Sequence, residues 1–397
     1  MSGRGAVAFA VGLLAFLAAG LWLGGHPNSL PEPLREIFVT ETGGLSAEAA
    51  EVLEDNYYRP VGHEQLSNAS LQGMVRDLRR RNKEDHYTEY FSPEALEAFN
   101  QGIEGRFSGI GVTINPVRQG MEVEKVLPHS PAEEAGIEAG DLIVSVEGKS
   151  IAGQNPTEVG NRIRGPEGTQ VTIGVRDSKT GKVRQMTLTR AEVTLPNVSS
   201  HVEAVKGKKL GYIRMLQFSD GAHDQIANAV RKVQREGAEG IVIDLRENPG
   251  GLLQEAVLSA SVFLPEGEVV VSTKSRTQGD NVYKTEGGNL PRRPLVVLID
   301  RNTASAAEIL AAALADDGGA GVVGTRSYGK GLFQEEHNLS NGGAIKLSVG
   351  EFFTPEGINL AQSHGVHPDV KAVDNPATKV DEAKQRALGV LAGQIGS

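Results

Sequence analysis

Along this chain the spacing of apolar positions changes character several times, and each change predicts a different kind of element. An uncharged, mostly apolar run fills residues 6–25, with Arg4 just before it. That length suffices to cross a bilayer. Residues 26–33 read as a short Pro-containing linker. From about 34 to 104 the pattern is helical: Leu71, Met74, Val75 and Leu78 recur at helical spacing. Ser46 is an N-cap candidate for a helix over 46–53, and Ser92 before Pro93 reads as N-cap and N1. From 105 to 191 short strands alternate with Gly-rich turns. Strands over 171–175 and 183–188 flank Asp177-Ser178-Lys179-Thr180-Gly181, a hairpin loop. Beyond residue 192 strands over 210–214, 241–245, 269–273 and 295–299 alternate with helices near 219–236, 252–263 and 305–315. Later strands are expected over 344–349 and 351–354, and a terminal helix over 377–391.

The pattern predicts a multidomain α+β protein. Its parts are a leader or anchor (1–25), a helical region (26–104), a β-rich module (105–191), an α/β core (192–375) and a C-terminal helical segment (376–397). A length of 397 residues, 39% hydrophobic and 23% charged, suits several folded domains. A net charge of −10 argues against nucleic acid as a partner. The absence of cysteine excludes thiol catalysis, disulfides and Cys-zinc sites. Arg4 before the apolar run directs the body of the chain out of the cytoplasm, to the periplasm or the cell-envelope face. An uncleaved membrane anchor is favoured, because Leu21-Trp22-Leu23 continues the run. A signal cleaved near Ala18-Ala19-Gly20 is the alternative, and a buried soluble helix is the third reading.

Two stretches of the β-rich module carry a recognisable design. Ser108-Gly109-Ile110-Gly111-Val112 alternates glycine and apolar residues at the start of a strand, so that backbone N–H groups turn inward as an anion nest. Such a nest captures the carboxylate of a peptide C-terminus while the peptide adds as a strand. Ser130-Pro131-Ala132-Glu133-Glu134-Ala135-Gly136-Ile137 and Ala139-Gly140-Asp141-Leu142-Ile143 follow. Together these resemble a PDZ domain, with two short helices. By that resemblance residues 156–163 form the groove helix, and Val159 and Ile163 line a peptide pocket with Gly109, Ile110, Gly111 and Val112. The plain alternative makes these apolar residues ordinary core.

The chemistry concentrates in four pieces of the α/β core. Asp244-Leu245-Arg246-Glu247-Asn248-Pro249-Gly250-Gly251 is a strand that breaks at a Gly-Gly turn before a helix. Such a turn exposes backbone N–H groups that stabilise an oxyanion, although it also serves simply to reverse the chain. Ser305 lies in Asn302-Thr303-Ala304-Ser305-Ala306-Ala307-Glu308, directly after a strand. In the first helical turn it would leave the Ala306 N–H without a partner; alternatively Ser305 only starts the helix, or Thr303 caps it. Lys330, in Tyr328-Gly329-Lys330-Gly331, follows the strand over 321–324. A lysine serves as base for a serine when burial brings its pKa from ~10.4 toward ~7–8. Gln334 is placed to accept a hydrogen bond from that amine.

In this order the pieces resemble the carboxyl-terminal processing, or tail-specific, proteases, from about residue 45 to Gly365-Val366-His367-Pro368-Asp369-Val370. The resemblance implies an α/β core of ClpP/crotonase-like fold and a serine endopeptidase that cleaves proteins near their C-termini. It implies Ser305 as nucleophile, Lys330 as base, Gln334 as orienter of the lysine, and the Gly251 and Ala306 amides as oxyanion hole. It places Arg164 at a position that senses bound peptide in one branch. It also implies a dimer and no cofactor. Thr303 stands where the family usually has serine, and Glu84-Asp85-His86-Tyr87-Thr88 lacks the family's proline.

Three other readings compete with this one. Residues 324–331 fit the first part of a P-loop, but Gly331 replaces the Ser/Thr that holds magnesium, and no apolar helix spacing follows. No histidine sits in a recognisable triad, and His364 and His367 lie in a Gly/Pro loop, so no metal site is expected. A catalytically inactive PDZ-based peptide-binding adaptor is the remaining alternative.

Overall fold

The computed structural model describes residues 41–395 apart from 84, 105, 195–196, 288–289, 291–292, 376 and 379. The apolar segment 6–25 and the linker after it lie outside these residues. The described chain falls into two compact units, one of residues up to 92 with 336–347, the other of 93–335 with 348 onward.

In the first unit, helices α1 (Glu41–Asn56) and α2 (His63–Arg81) precede the short strand β1 (Glu89–Phe91). Helix α1 runs through Ser46, which is therefore not its cap. Of the four apolar positions that predicted α2, Val75 is buried whereas Met74 and Leu78 stay exposed. Without a proline in this segment, Asp85 makes a tight turn: its carboxylate accepts the Tyr87 and Thr88 N–H groups at 3.1 and 3.0 Å.

The second unit begins with α3 (Pro93–Glu104). A β-rich module follows: β2 (Arg106–Gly109), β3 (Val112–Val117), β4 (Gly120–Val126), α4 (Pro131–Glu134), β5 (Leu142–Val146), β6 (Lys149–Ser150), α5 (Pro156–Ile163), β7 (Gln170–Arg176), β8 (Val183–Thr189) and β9 (Ala191–Thr194). Its sheet runs β3-β4-β5-β7-β8 with β6 on β5, and β3 is an edge strand. Alternating residues of these strands, among them Val123, Ile143, Val171 and Ile173, close a core of their own. Strands β2 and β9, which lead into and out of the module, pair with each other.

The remainder is an α/β layer structure. It comprises β10 (Val198–Val205), β11 (Lys208–Met215), α6 (Ala222–Arg235), β12 (Gly240–Asp244), α7 (Leu253–Ser261), β13 (Val269–Ser275), β14 (Gly279–Lys284), β15 (Leu295–Ile299), α8 (Ala306–Asp316), β16 (Gly321–Gly324), β17 (Leu332–Asn338), β18 (Ala344–Phe353), β19 (Val370–Lys371) and α9 (Glu382–Ile395). The main sheet has the order β10-β11-β12-β15-β16-β19, and every neighbouring pair from β11 onward is parallel. Ile243, Val297 and Ile299 face α6, α7 and α8, whereas Val242, Val296 and Leu298 face α9. Burial on both faces explains why these strands read as unbroken apolar runs.

Two expectations are corrected here. The late strands form one element, β18, because Gly350 continues the strand. A side chain there would meet the Lys274 carbonyl at 2.3 Å and the Phe333 ring at 2.4 Å. The terminal helix starts later than expected, at Glu382, because Asp381 accepts the Lys384 N–H at 2.8 Å and caps it.

Candidate active site

Loops from the carboxyl ends of three adjacent parallel strands, β12, β15 and β16, carry the residues singled out above, the usual location of sites in open α/β sheets. After β15 the chain turns on Asp300, whose carboxylate accepts the N–H groups of Glu247, Asn302 and Thr303, each at 3.0 Å. The Thr303 hydroxyl donates to the Leu245 carbonyl at 2.8 Å. Thr303 thus ties two strand ends together and does not cap α8.

Ser305 stands immediately before α8, one residue earlier than a place in the first turn would require. Its backbone has φ 56° and ψ −122°. A non-glycine residue there costs roughly 1–3 kcal/mol and persists only where neighbours over-determine it. They do: Ala304 N–H donates to Asn248 O at 2.9 Å, Ile309 N–H to Ser305 O at 3.0 Å, and Ser305 N–H to Glu308 Oε2 at 2.9 Å. The residue is 8% exposed.

Glu308, fully buried, is the junction of the site. Its Oε2 also accepts the Lys330 N–H at 2.9 Å. Two backbone nitrogens on one oxygen can be no further apart than the two bonds laid end to end, so the loops bearing Ser305 and Lys330 converge. Glu308 Oε1 accepts Gly329 N–H at 2.7 Å and the Ser327 hydroxyl at 2.5 Å. Four donors fill the acceptor capacity of an ionised carboxylate. Sequence reasoning quoted Glu308 within a motif but gave it no role. The available signal was one carboxylate in the otherwise apolar run Ala306-Ala307-Glu308-Ile309-Leu310.

The glycines around Lys330 are there for contact. A Cβ on Gly331 would meet Ala361 N at 2.6 Å, and one on Gly329 (φ +89°) would meet the His364 carbonyl carbon at 2.9 Å. Lys330 itself is half-buried. The loop leads into strand β17, not a helix, which disposes of the P-loop reading.

The Gly-Gly turn packs directly on the serine. A Cβ on Gly250 would lie 2.7 Å from Ser305 Cβ and 2.9 Å from Ala306 N. Buried Asn248 fixes the turn: its amide donates to Met215 O at 3.0 Å, and its Oδ1 accepts Gly250 N–H at 2.9 Å. Gly251 bridges to Phe218 so closely that a Cβ would sit 2.2 Å from the Phe218 carbonyl oxygen. Neither the Gly251 nor the Ala306 N–H donates to an acceptor among the described residues. Gln334 is half-buried on β17, and its amide nitrogen donates to Leu332 O at 3.1 Å and to Ser348 Oγ at 3.4 Å.

In the β-rich module a cavity of about 300 Å³ is lined by Gly109, Ile110, Gly111, Val112, Ile163 and Arg164, among others. Val159 is not in its wall. It is fully buried in the module's core, in the same cluster as Ile110 and Ile163.

Comparison with known proteins adds the family. The model of peptidase family S41 matches residues 209–372, and a PDZ model matches 122–177. A carboxyl-terminal-processing protease of Synechocystis is 33% identical over 355 residues, covering 87% of this chain and 81% of that protein. The chain belongs to the carboxyl-terminal processing proteases of peptidase family S41. A second such protease, of Picosynechococcus, is 36% identical over 316 residues, covering 78% of this chain and 76% of that protein. Among solved structures, the photosystem II D1 C-terminal processing protease superposes with a TM-score of 0.51 at 28% identity, covering 88% of this chain and 98% of that one. The chain is thus a serine-type endopeptidase with a PDZ domain and a mixed α+β fold, and membership in this family favours that reading over the inactive adaptor. Among the described residues no helix is long and apolar enough to cross a membrane.

Proposed function

We propose that Ser305 and Lys330 form the catalytic pair of this protease. The single observation behind the pairing is the Glu308 oxygen shared by their two N–H groups. Ser305 Oγ attacks a substrate carbonyl carbon while the neutral Lys330 amine takes its proton. The oxyanion receives the N–H groups of Gly251 and Ala306, a contribution typically worth about 3–4 kcal/mol. Protonated Lys330 then gives its proton to the leaving amine as the C–N bond breaks. Water attacks the acyl-enzyme with Lys330 again as base, which releases the acid and restores Ser305. Gln334 Oε1 orients the lysine amine; both described hydrogen bonds of this side chain use its nitrogen. No cofactor enters the cycle.

The PDZ cavity binds the substrate's C-terminal tail. Edge strand β3 and the turn at Gly109-Ile110-Gly111 support this reading, with a terminal carboxylate in the nest and an apolar side chain against Ile110 and Ile163. Arg164, which borders the same cavity, couples tail binding to the active centre. We assign the PDZ domain to 105–191 and the protease core to 192–375, flanked by helical regions 26–104 and 376–397. Residues 1–25 anchor or export the chain to the extracytoplasmic side, where it acts as a dimer.

The experiment is digestion of a protein bearing an apolar C-terminal tail, read by mass spectrometry. Ser305→Ala and Lys330→Arg are both expected to abolish cleavage, since guanidinium is no base near neutral pH. Cleavage retained by purified Ser305→Ala refutes the assignment. Amidation of the substrate's C-terminus is expected to weaken recognition, and equal cleavage of both forms would remove the carboxylate nest from the account.

A further inference from the structure

The carboxyl end of β12 continues into the Gly-Gly turn through Arg246, and this side chain is the centre of a charge cluster that is buried at Asp244 and partly exposed at Asp374 and Asp381. The guanidinium donates to three carboxylates. Nε and Nη2 reach Asp244 Oδ1 and Oδ2 at 3.0 and 2.8 Å, Nη1 and Nη2 reach Asp381 Oδ1 and Oδ2 at 2.9 and 2.8 Å, and Nη1 reaches Asp374 Oδ2 at 2.7 Å. The Tyr212 hydroxyl, itself bonded to Asp244, accepts a further bond from Nη2 at 3.3 Å. Asp244 lies on the same strand as the turn. Asp374 and Asp381 come from the C-terminal segment and are held in turn by the start of α9: Asp374 Oδ1 accepts the Ala383 N–H at 2.9 Å and Asp381 Oδ1 the Lys384 N–H at 2.8 Å. The positive end of a helix thus offsets the excess of carboxylates over the one guanidinium. Burial opposes the charge on Asp381, but its bonds to Arg246 and Lys384 hold its carboxyl below the usual range.

The residue after Arg246 shows what the cluster restrains. Glu247 has φ +60°, a left-handed conformation that a non-glycine residue adopts at a cost. It pivots the chain from the strand into Asn248-Pro249-Gly250-Gly251. One side of the pivot is held by Asp300, which accepts the Glu247 N–H. The other is held by Arg246. A planar guanidinium in a fixed fork, bound on several edges at once, fixes direction as well as charge.

We propose that Asp374 and Asp381, ahead of α9, act as a latch that sets the oxyanion turn, with Arg246 as the positioning residue between latch and turn. The proposal rests on the reading of Gly251 as an oxyanion donor. It follows that the C-terminal segment contributes to turnover although it supplies no group to the reacting atoms. Opening the latch lets Glu247 relax and moves the Gly251 N–H away from the oxyanion. Tail binding is left alone, because none of the residues that line the PDZ cavity belongs to the cluster.

The test is the double variant Asp374→Asn/Asp381→Asn in the full chain, assayed on a fluorogenic peptide with an apolar tail. Circular dichroism at the assay temperature measures the folded fraction. The expected result is a fall in kcat on the order of tenfold, with KM within about twofold of the parent and the folded fraction unchanged. Arg246→Lys, which keeps the charge but loses the fork, is expected to fall similarly. If the double variant does not fold, Asp374→Asn alone, at the partly exposed carboxylate, is expected to lose about threefold in kcat. A parental kcat, or a loss no larger than the unfolded fraction, overturns the proposal. Ser305→Ala is run in parallel: if it is inactive while the latch variants behave like the parent, the latch alone fails, and if it still cleaves, the active-centre reading fails first.

Discussion

Replacing Glu308 by glutamine tests how the active centre is assembled. The substitution conserves shape and removes one acceptor oxygen. Glu308 is completely buried and accepts four hydrogen bonds, two on each oxygen. An amide must point its NH₂ toward one of these pairs. Toward Ser305 and Lys330 it faces two N–H groups that cannot reverse. Toward Gly329 and Ser327 it faces one N–H and one hydroxyl, and the hydroxyl can turn to accept. The second orientation is therefore preferred, and it orphans the Gly329 N–H. An orphaned buried donor costs about 1–3 kcal/mol, and the remaining bonds lose their charge assistance, so Glu308→Gln is expected to lose roughly 3 kcal/mol of stability. Because Gly329 adjoins Lys330, the lysine shifts. A misplacement near 1 Å costs about a hundredfold in rate, and kcat is expected to fall by that order with KM little changed. Urea unfolding reads the first number and steady-state kinetics on a tailed peptide the second. A variant whose kcat stays within about threefold of the parent, folded and at the same pH, would refute the claim that Glu308 brings the two loops together.

Other expectations follow from the same geometry. Gly250→Ala is expected to abolish measurable cleavage, because its Cβ would meet Ala304 O and Ser305 Cβ at 2.7 Å each; unimpaired kinetics would show that the turn and the serine are not in contact. Asp316, at the end of α8, has its carboxyl pushed up to about 6 by burial and by the nearby Glu356. A folded value above the unfolded one means that stability is present at low pH and is lost as pH rises from about 4 through about 6. Asp316→Asn is then expected to raise the melting temperature at pH 7.5 and to have no effect near pH 4, with a gain of about 1 kcal/mol once solvent screening is allowed for. A gain that is the same at both pH values would contradict that sign.

The loops of the candidate site were legible because each carries a local signal. Ser305 and Lys330 stand just past apolar strands, and Asn-Pro-Gly-Gly and Gly-Lys-Gly are backbone instructions whose steric reasons the structure supplies. Helix α5 falls on 156–163 as expected, and β15 on 295–299. What stayed hidden depends on contacts between distant segments. Val159 keeps helical spacing with Ile163, yet spacing alone does not tell a groove from a core. Thr303 has the right residue type for a cap, but Leu245 claims its hydroxyl. Gly350 reads as a break between strands; in the fold it pairs with Ser275, and the Lys274 carbonyl and the Phe333 ring leave no room for a side chain there. Glu308 and Arg246 were both in view, and their roles follow only from loops and a C-terminal helix that the fold brings to them.

The measurement that bears most directly on the Ser305–Lys330 pair is the rate and site of modification by a fluorophosphonate, which reacts with an activated serine. One adduct on the peptide containing Ser305, formed faster as pH rises and suppressed in Lys330→Ala, is the predicted result. An adduct elsewhere, or labelling of Ser305 that proceeds undiminished without the lysine amine, would contradict it.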